Sequence, residues 1–295
     1  MDMVPRMAQG GGRTSDAISP TAHYTGQVWV QAGLSPAAFA TKEGAVFYQS
    51  LRPMNAVSRA MGGPSIEQVL LARHRTIDHQ LTRAIEAGTI RSVIEVACGL
   101  SGRGARFAQR YPEQLTFVEA DLPAMAARKR DLLAAAGLGS DHHRVVDIDA
   151  LKDEGPTSLA EIAAELDPGG GVAIITEGLL NYFPVAEVTG MWRRFAKGLS
   201  GFPAGLYLAD IHLGEDTKGA MATGFSALLG AFVRGRVHVH FRDIADCRRE
   251  LELAGFARSD ILRPEELVDI TGPIDPASSR RVRIIEAWTG PSPEA

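Results

Sequence analysis

Residues 94–108 read IEVACGLSGRGARFA. An apolar run closes at Ala97, glycines follow at Gly99, Gly102 and Gly104, and a helical pattern opens after them. Strand, glycine turn and helix in that order form the first unit of an open α/β sheet. The spacing G-x-x-G-x-G differs from the G-x-G-x-x-G that cradles a dinucleotide pyrophosphate. Glycine here lets the backbone approach a ligand closely and take dihedrals closed to other residues. Glu95 sharpens the reading. An acid inside an apolar strand is costly unless it is hydrogen-bonded, so it either braces the N–H groups of the turn or receives a ligand ammonium.

The pattern on both sides of this unit agrees. Residues 93–97, 115–119, 145–148, 172–176 and 206–211 read as short apolar strands, with helical stretches at about 105–109, 124–136, 158–166 and 185–199 between them. Gly137 stops the second of these helices. Repeated strand–helix units imply a doubly wound, mostly parallel sheet. After a helix at 244–254, residues 257–262 and 281–288 come without a full helix between them and predict an antiparallel edge, making seven strands. The expected fold is α/β: a seven-stranded, Rossmann-like sheet with an N-terminal helical cap. Residues 1–25 are expected to be flexible, 26–90 to form the cap and 91–290 the sheet domain, with an insertion at about 212–241.

The strand ends carry acids: Glu95, Asp121 in FVEADLP, Asp149 in VVDIDAL and Glu177 in IITEGLL. Ligands of open parallel sheets bind along the carboxyl edge. A row of carboxylates suits ribose hydroxyls, an amine and a positive centre, and suits a pyrophosphate badly. S-adenosylmethionine has the first set of features and NAD has the pyrophosphate. Two positions keep alternatives. Asp121 competes with Glu119 and could be a helix N-cap before Leu-Pro; Asp149 competes with Asp147. In residues 66–87, Ile66, Val69, Leu70, Ile77, Leu81 and Ile85 recur at helical spacing, and Arg73 falls on their stripe. A cation turned inward needs an anion, either a core carboxylate or the carboxylate of a ligand.

Composition bounds the rest. The 295 residues are 45% hydrophobic with a formal net charge of −4, ordinary for a globular chain and without the basic surface that drives nucleic-acid binding. No run is long and apolar enough for a bilayer, and no secretory signal is read in the first twenty residues. Two cysteines, Cys98 and Cys247, suggest no disulfide framework, and a cytoplasmic location is expected.

The segments LARHRTID around Arg73, EVACGLSGR, FVEADLP, the Asp149 region and above all TEGLLNYF resemble the leucine carboxyl methyltransferase family. The likeness is strongest to a bacterial branch that includes polyketide O-methyltransferases of the tetracenomycin type, and it runs from about residue 40 to 290. It implies a class I methyltransferase fold, S-adenosyl-L-methionine as donor and an oxygen acceptor. Residue by residue, it would place Arg73 on the donor's carboxylate and Gly99 under its methionine part. Asp121, with Leu122 beside it, would meet the ribose; Asp149 and Ala150 the adenine; Glu177 the amine or the reactive methyl. Ala97 stands where the family usually has glycine, which is harmless if its dihedrals are ordinary.

The expected function is methyl transfer by in-line displacement to a carboxylate or phenolic oxygen of a small molecule. A carboxylate acceptor needs no base; a phenol, with a pKa of about 10, is helped by one. His212 in LADIHL is the first candidate base and Tyr182 a second contact to the acceptor; their alternatives are a strand-end histidine and a packing aromatic. No metal site is expected, although His238 and His240 would share a strand face. His142 and His143 read as solvated, Arg280, Arg281 and Arg283 as a charged edge, and Met191, Trp192 and Phe195 as core. The expected partner is a small-molecule acceptor rather than nucleic acid or a membrane, and a homodimer is left open. Competing readings are a protein C-terminal carboxyl methyltransferase, a catalytically silent nucleotide-binding module and an NAD(P)-dependent oxidoreductase.

Overall fold

The computed structural model describes residues 20–217, 238–267, 272 and 275–290. Seven strands form one open sheet: β1 (Ser92–Val96), β2 (Thr116–Asp121), β3 (His143–Asp147), β4 (Val172–Thr176), β5 (Gly205–Ile211), β6 (Arg258–Leu262) and β7 (Arg283–Trp288). Their order is β3-β2-β1-β4-β5-β7-β6. The first five are mutually parallel, and β7 runs antiparallel to both β5 and β6. The doubly wound, mostly parallel expectation holds. The antiparallel pair differs in one respect: β7 inserts between β5 and β6, so Arg283 does not lie on an edge strand. Arg283 is buried and meets Asp216 at 2.5 Å and Glu265 at 3.4 Å.

The helices follow sequence signals. In α3 (Ile66–Glu86), Ser65 caps the start by accepting from the Gln68 N–H, and the apolar stripe is buried. In α5 (Pro123–Ala136), proline opens the helix and Gly137, at φ +65°, ends it. In α7 (Val185–Leu199), Val188, Met191, Trp192, Phe195 and Leu199 form the buried face. The remaining helices are α1 (Pro20–Gln31), α2 (Lys42–Ala60), α4 (Arg103–Arg110), α6 (Leu159–Ala164), α8 (Ile244–Ala254) and the short α9 (Pro276–Ser279). Helix α1 begins inside the stretch expected to be flexible, because Tyr24 and Val28 are buried against α3 and its neighbours. Of the expected insertion at 212–241, residues 218–237 lie outside the described residues.

Alternation along the strands sorts side chains between two cores. Ile94, Ile174, Tyr207 and Ala209 pack with α6, α7 and α8, whereas Val93, Ala173, Ile175, Leu206 and Leu208 pack with α3. Side chains two residues apart share a face. Glu95, Glu177, Asp210 and His212 continue the second series. The charged groups at the carboxyl ends of β1, β4 and β5 therefore fall on the face covered by α3 and α4.

Candidate active site

Glu95, in the middle of the sheet, is 1% exposed. Its Oε1 accepts from Nη1 of Arg103, while Oε2 is buried without a hydrogen-bond partner among the described residues. Burial pushes its pKa up, against the pull of Arg103 and Lys129, to about 7. Arg103, the first residue of α4, is fully buried. Its Nε donates to Asp78 Oδ1 at 2.6 Å and its Nη2 to Glu177 Oε2 at 2.7 Å. Arg73 reaches across from α3, with Nε on Glu177 Oε1 at 2.9 Å and Nη1 on Asp210 Oδ2 at 3.1 Å. Nη2 of Arg73 has no hydrogen-bond partner among the described residues.

His74 completes the lattice. Arg106 Nη2 lies 2.9 Å from its Nε2, while Glu177 Oε2, at 2.8 Å, and Arg103 Nη2, at 3.0 Å, both face its Nδ1. Burial, followed by the nearby Arg103 charge, lowers its pKa and keeps the ring neutral. Burial alone would raise Glu177, but the His74 hydrogen bond and the two guanidiniums hold its carboxyl below the usual carboxylate range. Burial alone would raise Asp78 as well, but His74, Arg103 and Arg106 bring it down to about 2.

The glycine turn is tied to β2. Asp121 Oδ2 accepts from the Gly99 N–H at 2.7 Å and Oδ1 from the Leu122 N–H at 2.8 Å. Asp121 is therefore not the N-cap of α5: Leu122 occupies that place and supplies no side-chain cap. Each Asp121 oxygen keeps a lone pair for a further donor. The competing Glu119 is fully buried between Lys129 Nζ at 2.5 Å and His143 Nε2 at 2.8 Å, which makes it structural. His143 is thus buried rather than solvated, and His142 is exposed. The backbone of the turn is not ordinary. Ala97 sits at φ +56° and Gly99 at φ +52°, so the methyl at position 97 lies in the left-handed region that disfavours a Cβ.

The outer residues line up along the same edge. Leu122 is exposed. Asp149 lies beyond the end of β3, half-buried, with Oδ1 accepting from Leu151 N–H at 3.1 Å, and Ala150 follows it, also half-buried. Asp147 pairs instead with Arg130 at 3.2 Å. Gly178, at φ +70°, donates its N–H to Asp210 Oδ1 at 2.6 Å. A Cβ there would stand 2.9 Å from Arg73 Nη2. Tyr182 is half-buried, close enough to Arg73 to act on its charge. His212, half-buried just past β5, donates from Nδ1 to the Arg281 carbonyl at 2.6 Å. This leaves Nε2 unprotonated, and burial lowers the ring's pKa. His238 and His240 have rings 6.1 Å apart, with His240 Nε2 bound to the Phe183 carbonyl at 2.7 Å. No group of three or more metal-ligating side chains occurs among the described residues.

Arg73, Glu95 and Glu177 are thus brought together, and Gly99 and Asp121 are joined beside them. Arg103, His74, Asp78 and Asp210 were missed by sequence reasoning. Asp210 had a readable signal: it precedes His212 by two residues at the end of an apolar strand.

An open seven-stranded sheet, parallel but for an antiparallel β7 between β5 and β6 and flanked by helices, is the class I methyltransferase fold. The chain belongs to the leucine carboxyl methyltransferase family, whose model matches residues 34–196, more than half its length. A Mycolicibacterium gilvum protein named for S-adenosyl-L-methionine-dependent methyl transfer is 40% identical over 116 residues, 39% of this chain and 36% of that one. A Mycolicibacterium paratuberculosis protein of the same name is 35% identical over 116 residues, 39% of this chain and 36% of its own. The chain spans about a third of the length of the curated relatives it matches. Among solved structures, a Thermobifida fusca protein titled as a methyltransferase has a TM-score of 0.63 at 14% identity, covering 96% of this chain and 98% of that one. A DUF574 family protein from Streptomyces avermitilis has 0.61 at 13%, covering 92% and 97%. These likenesses show the fold.

Proposed function

We propose that the protein is an S-adenosyl-L-methionine-dependent O-methyltransferase acting on a carboxylate or phenolic oxygen of a small molecule. The observation that carries this reading is Glu95 Oε2, a buried carboxylate oxygen with no partner among the described residues, next to a turn whose backbone is left-handed at Ala97 and Gly99. A buried acid in that state is short of a cation, and the donor's ammonium supplies one. The open Nη2 of Arg73 suits the donor's carboxylate, and the spare lone pairs of Asp121 suit ribose hydroxyls. Leu122, Asp149 and Ala150 offer an apolar face and an acceptor to the adenine. Glu177 serves by holding Arg73 Nε on one oxygen and the Arg103 and His74 side chains on the other. Family membership and the names of the relatives support the same donor.

When bound, that donor supplies a methyl group already activated by a positive sulfur. The protein's task is to position the acceptor oxygen and exclude water. For a phenolic acceptor, His212 Nε2 is the atom to take the proton, because Nδ1 is committed to the Arg281 carbonyl. Tyr182 would lie beside the acceptor. Titration calorimetry with S-adenosylhomocysteine and with NADH tests the donor: binding of the first and not the second is expected, and the reverse removes the reading. A labelled-methyl screen of aromatic acids and phenols tests the acceptor. His212→Ala is expected to spare carboxylates and slow phenols about 10²-fold or more.

A further inference from the structure

We propose that Arg103 is the positioning residue for the donor's amino-acid end. From one buried guanidinium it holds Asp78, Glu95 and Glu177, leaving Glu95 Oε2 and Arg73 Nη2 as the open groups of the lattice. The inference rests on the donor reading above and deepens it. Across Arg73, His74, Asp78, Glu95, Arg103, Glu177 and Asp210, every other side-chain nitrogen and oxygen has a partner. Among the described residues one acceptor and one donor remain, Glu95 Oε2 and Arg73 Nη2, the complement of an ammonium and a carboxylate.

The location of Arg103 argues that more than helix stability keeps it there. A cation in the first turn opposes the helix dipole, and full burial of a guanidinium carries a large desolvation cost. Neither favours α4. The arrangement instead sets which oxygen of each acid is free. By taking Oε1 of Glu95, Arg103 leaves Oε2 for the ligand. By taking Oε2 of Glu177, it leaves Oε1 to fix Arg73 Nε, with Nη2 set beside Gly178. The planar fork matters as much as the charge, because a lysine ammonium is a point that cannot span three carboxylates in this way.

The test compares two ligands on the full chain. S-adenosylhomocysteine carries the amino-acid end; 5′-methylthioadenosine has the nucleoside and thioether without it. Arg103→Lys is expected to weaken S-adenosylhomocysteine at least tenfold while changing 5′-methylthioadenosine less than twofold by calorimetry. Glu95→Gln should reproduce that split, and the double variant should lose less than the product of the two single losses. Equal losses on both ligands, or no loss on either, make Arg103 a structural brace and overturn the proposal. An Arg103→Lys chain that does not fold does the same. If the unaltered protein binds neither ligand, the donor reading falls instead. If it prefers S-adenosylhomocysteine and Arg103→Lys keeps that preference, only the role of Arg103 falls.

Discussion

Ala97 carries a methyl group at φ +56°, where an L-residue is disfavoured by about 1–2 kcal/mol. Glycine there would relieve that strain while making the unfolded chain freer by about 0.4–1 kcal/mol. Ala97→Gly should therefore stabilise the fold by about 0.5–1 kcal/mol in urea denaturation, with no loss of S-adenosylhomocysteine affinity; a destabilised variant would mean that the methyl makes a packing contact outweighing its strain. Gly178 poses the converse case. At φ +70°, and with a Cβ due 2.9 Å from Arg73 Nη2, Gly178→Ala strains the backbone and displaces the guanidinium together. Its stability should drop by about 1–2 kcal/mol, and ligand affinity should drop with it. An unchanged affinity would show that Arg73 Nη2 is not on the ligand path.

Helices α4 and α5 meet the sheet through charge as well as apolar packing. Under the start of α4, Glu119 on β2, Lys129 on α5 and His143 on β3 form a fully buried cluster. Removing one partner of such a cluster leaves an uncompensated charge, at about 3–5 kcal/mol. Lys129→Met should lose stability of that order in denaturant titrations, and a loss under 1 kcal/mol would mean Glu119 finds its proton or another cation at little cost. Short, almost wholly apolar runs made the strands legible, and because ligands of such sheets bind along the carboxyl edge, the row of acids at the strand ends was legible too. Arg73 was legible because it broke an apolar helical stripe. The partners of those groups were not. Whether Arg103 faces Glu95 or water depends on how α4 approaches α3, and no local pattern encodes that. His143 was read as solvated because a histidine doublet before a strand looks like a loop; its register opposite Phe117 turns it inward. Arg283 was read as an edge residue because chain order does not reveal that β7 inserts between β5 and β6.

Taken together, the buried charges of the crevice fail to balance, and the failure has a location. Asp78, Glu95, Glu177 and Asp210 face the guanidiniums of Arg73, Arg103 and Arg106, with His74 neutral. One carboxylate is in excess. Glu95, with its unpartnered Oε2, is where that excess rests, and it takes a proton at about 7 where an unfolded chain would release it near 4.5. The groups acting on it are Arg103 on α4, Lys129 on α5, Glu119 on β2 and Glu177 beyond β4. In the free protein the folded state alone holds this proton between about 4.5 and 7. Its contribution to stability therefore declines as pH rises through that window. A ligand ammonium on Oε2 has the opposite preference, because it favours the ionised carboxylate. Binding of S-adenosylhomocysteine should then release a proton from Glu95 between pH 6 and 7, and affinity should rise with pH and level off above about 7. Asp78, at about 2, and Glu177, below the usual carboxylate range, are ionised throughout and add no slope. Calorimetry at pH 6.5 in two buffers of different ionisation enthalpy reads the released proton directly. Glu95→Gln should abolish both the release and the pH dependence while leaving the lattice's shape in place. Binding by the unaltered protein with no proton exchange would place the ligand's ammonium somewhere other than Glu95.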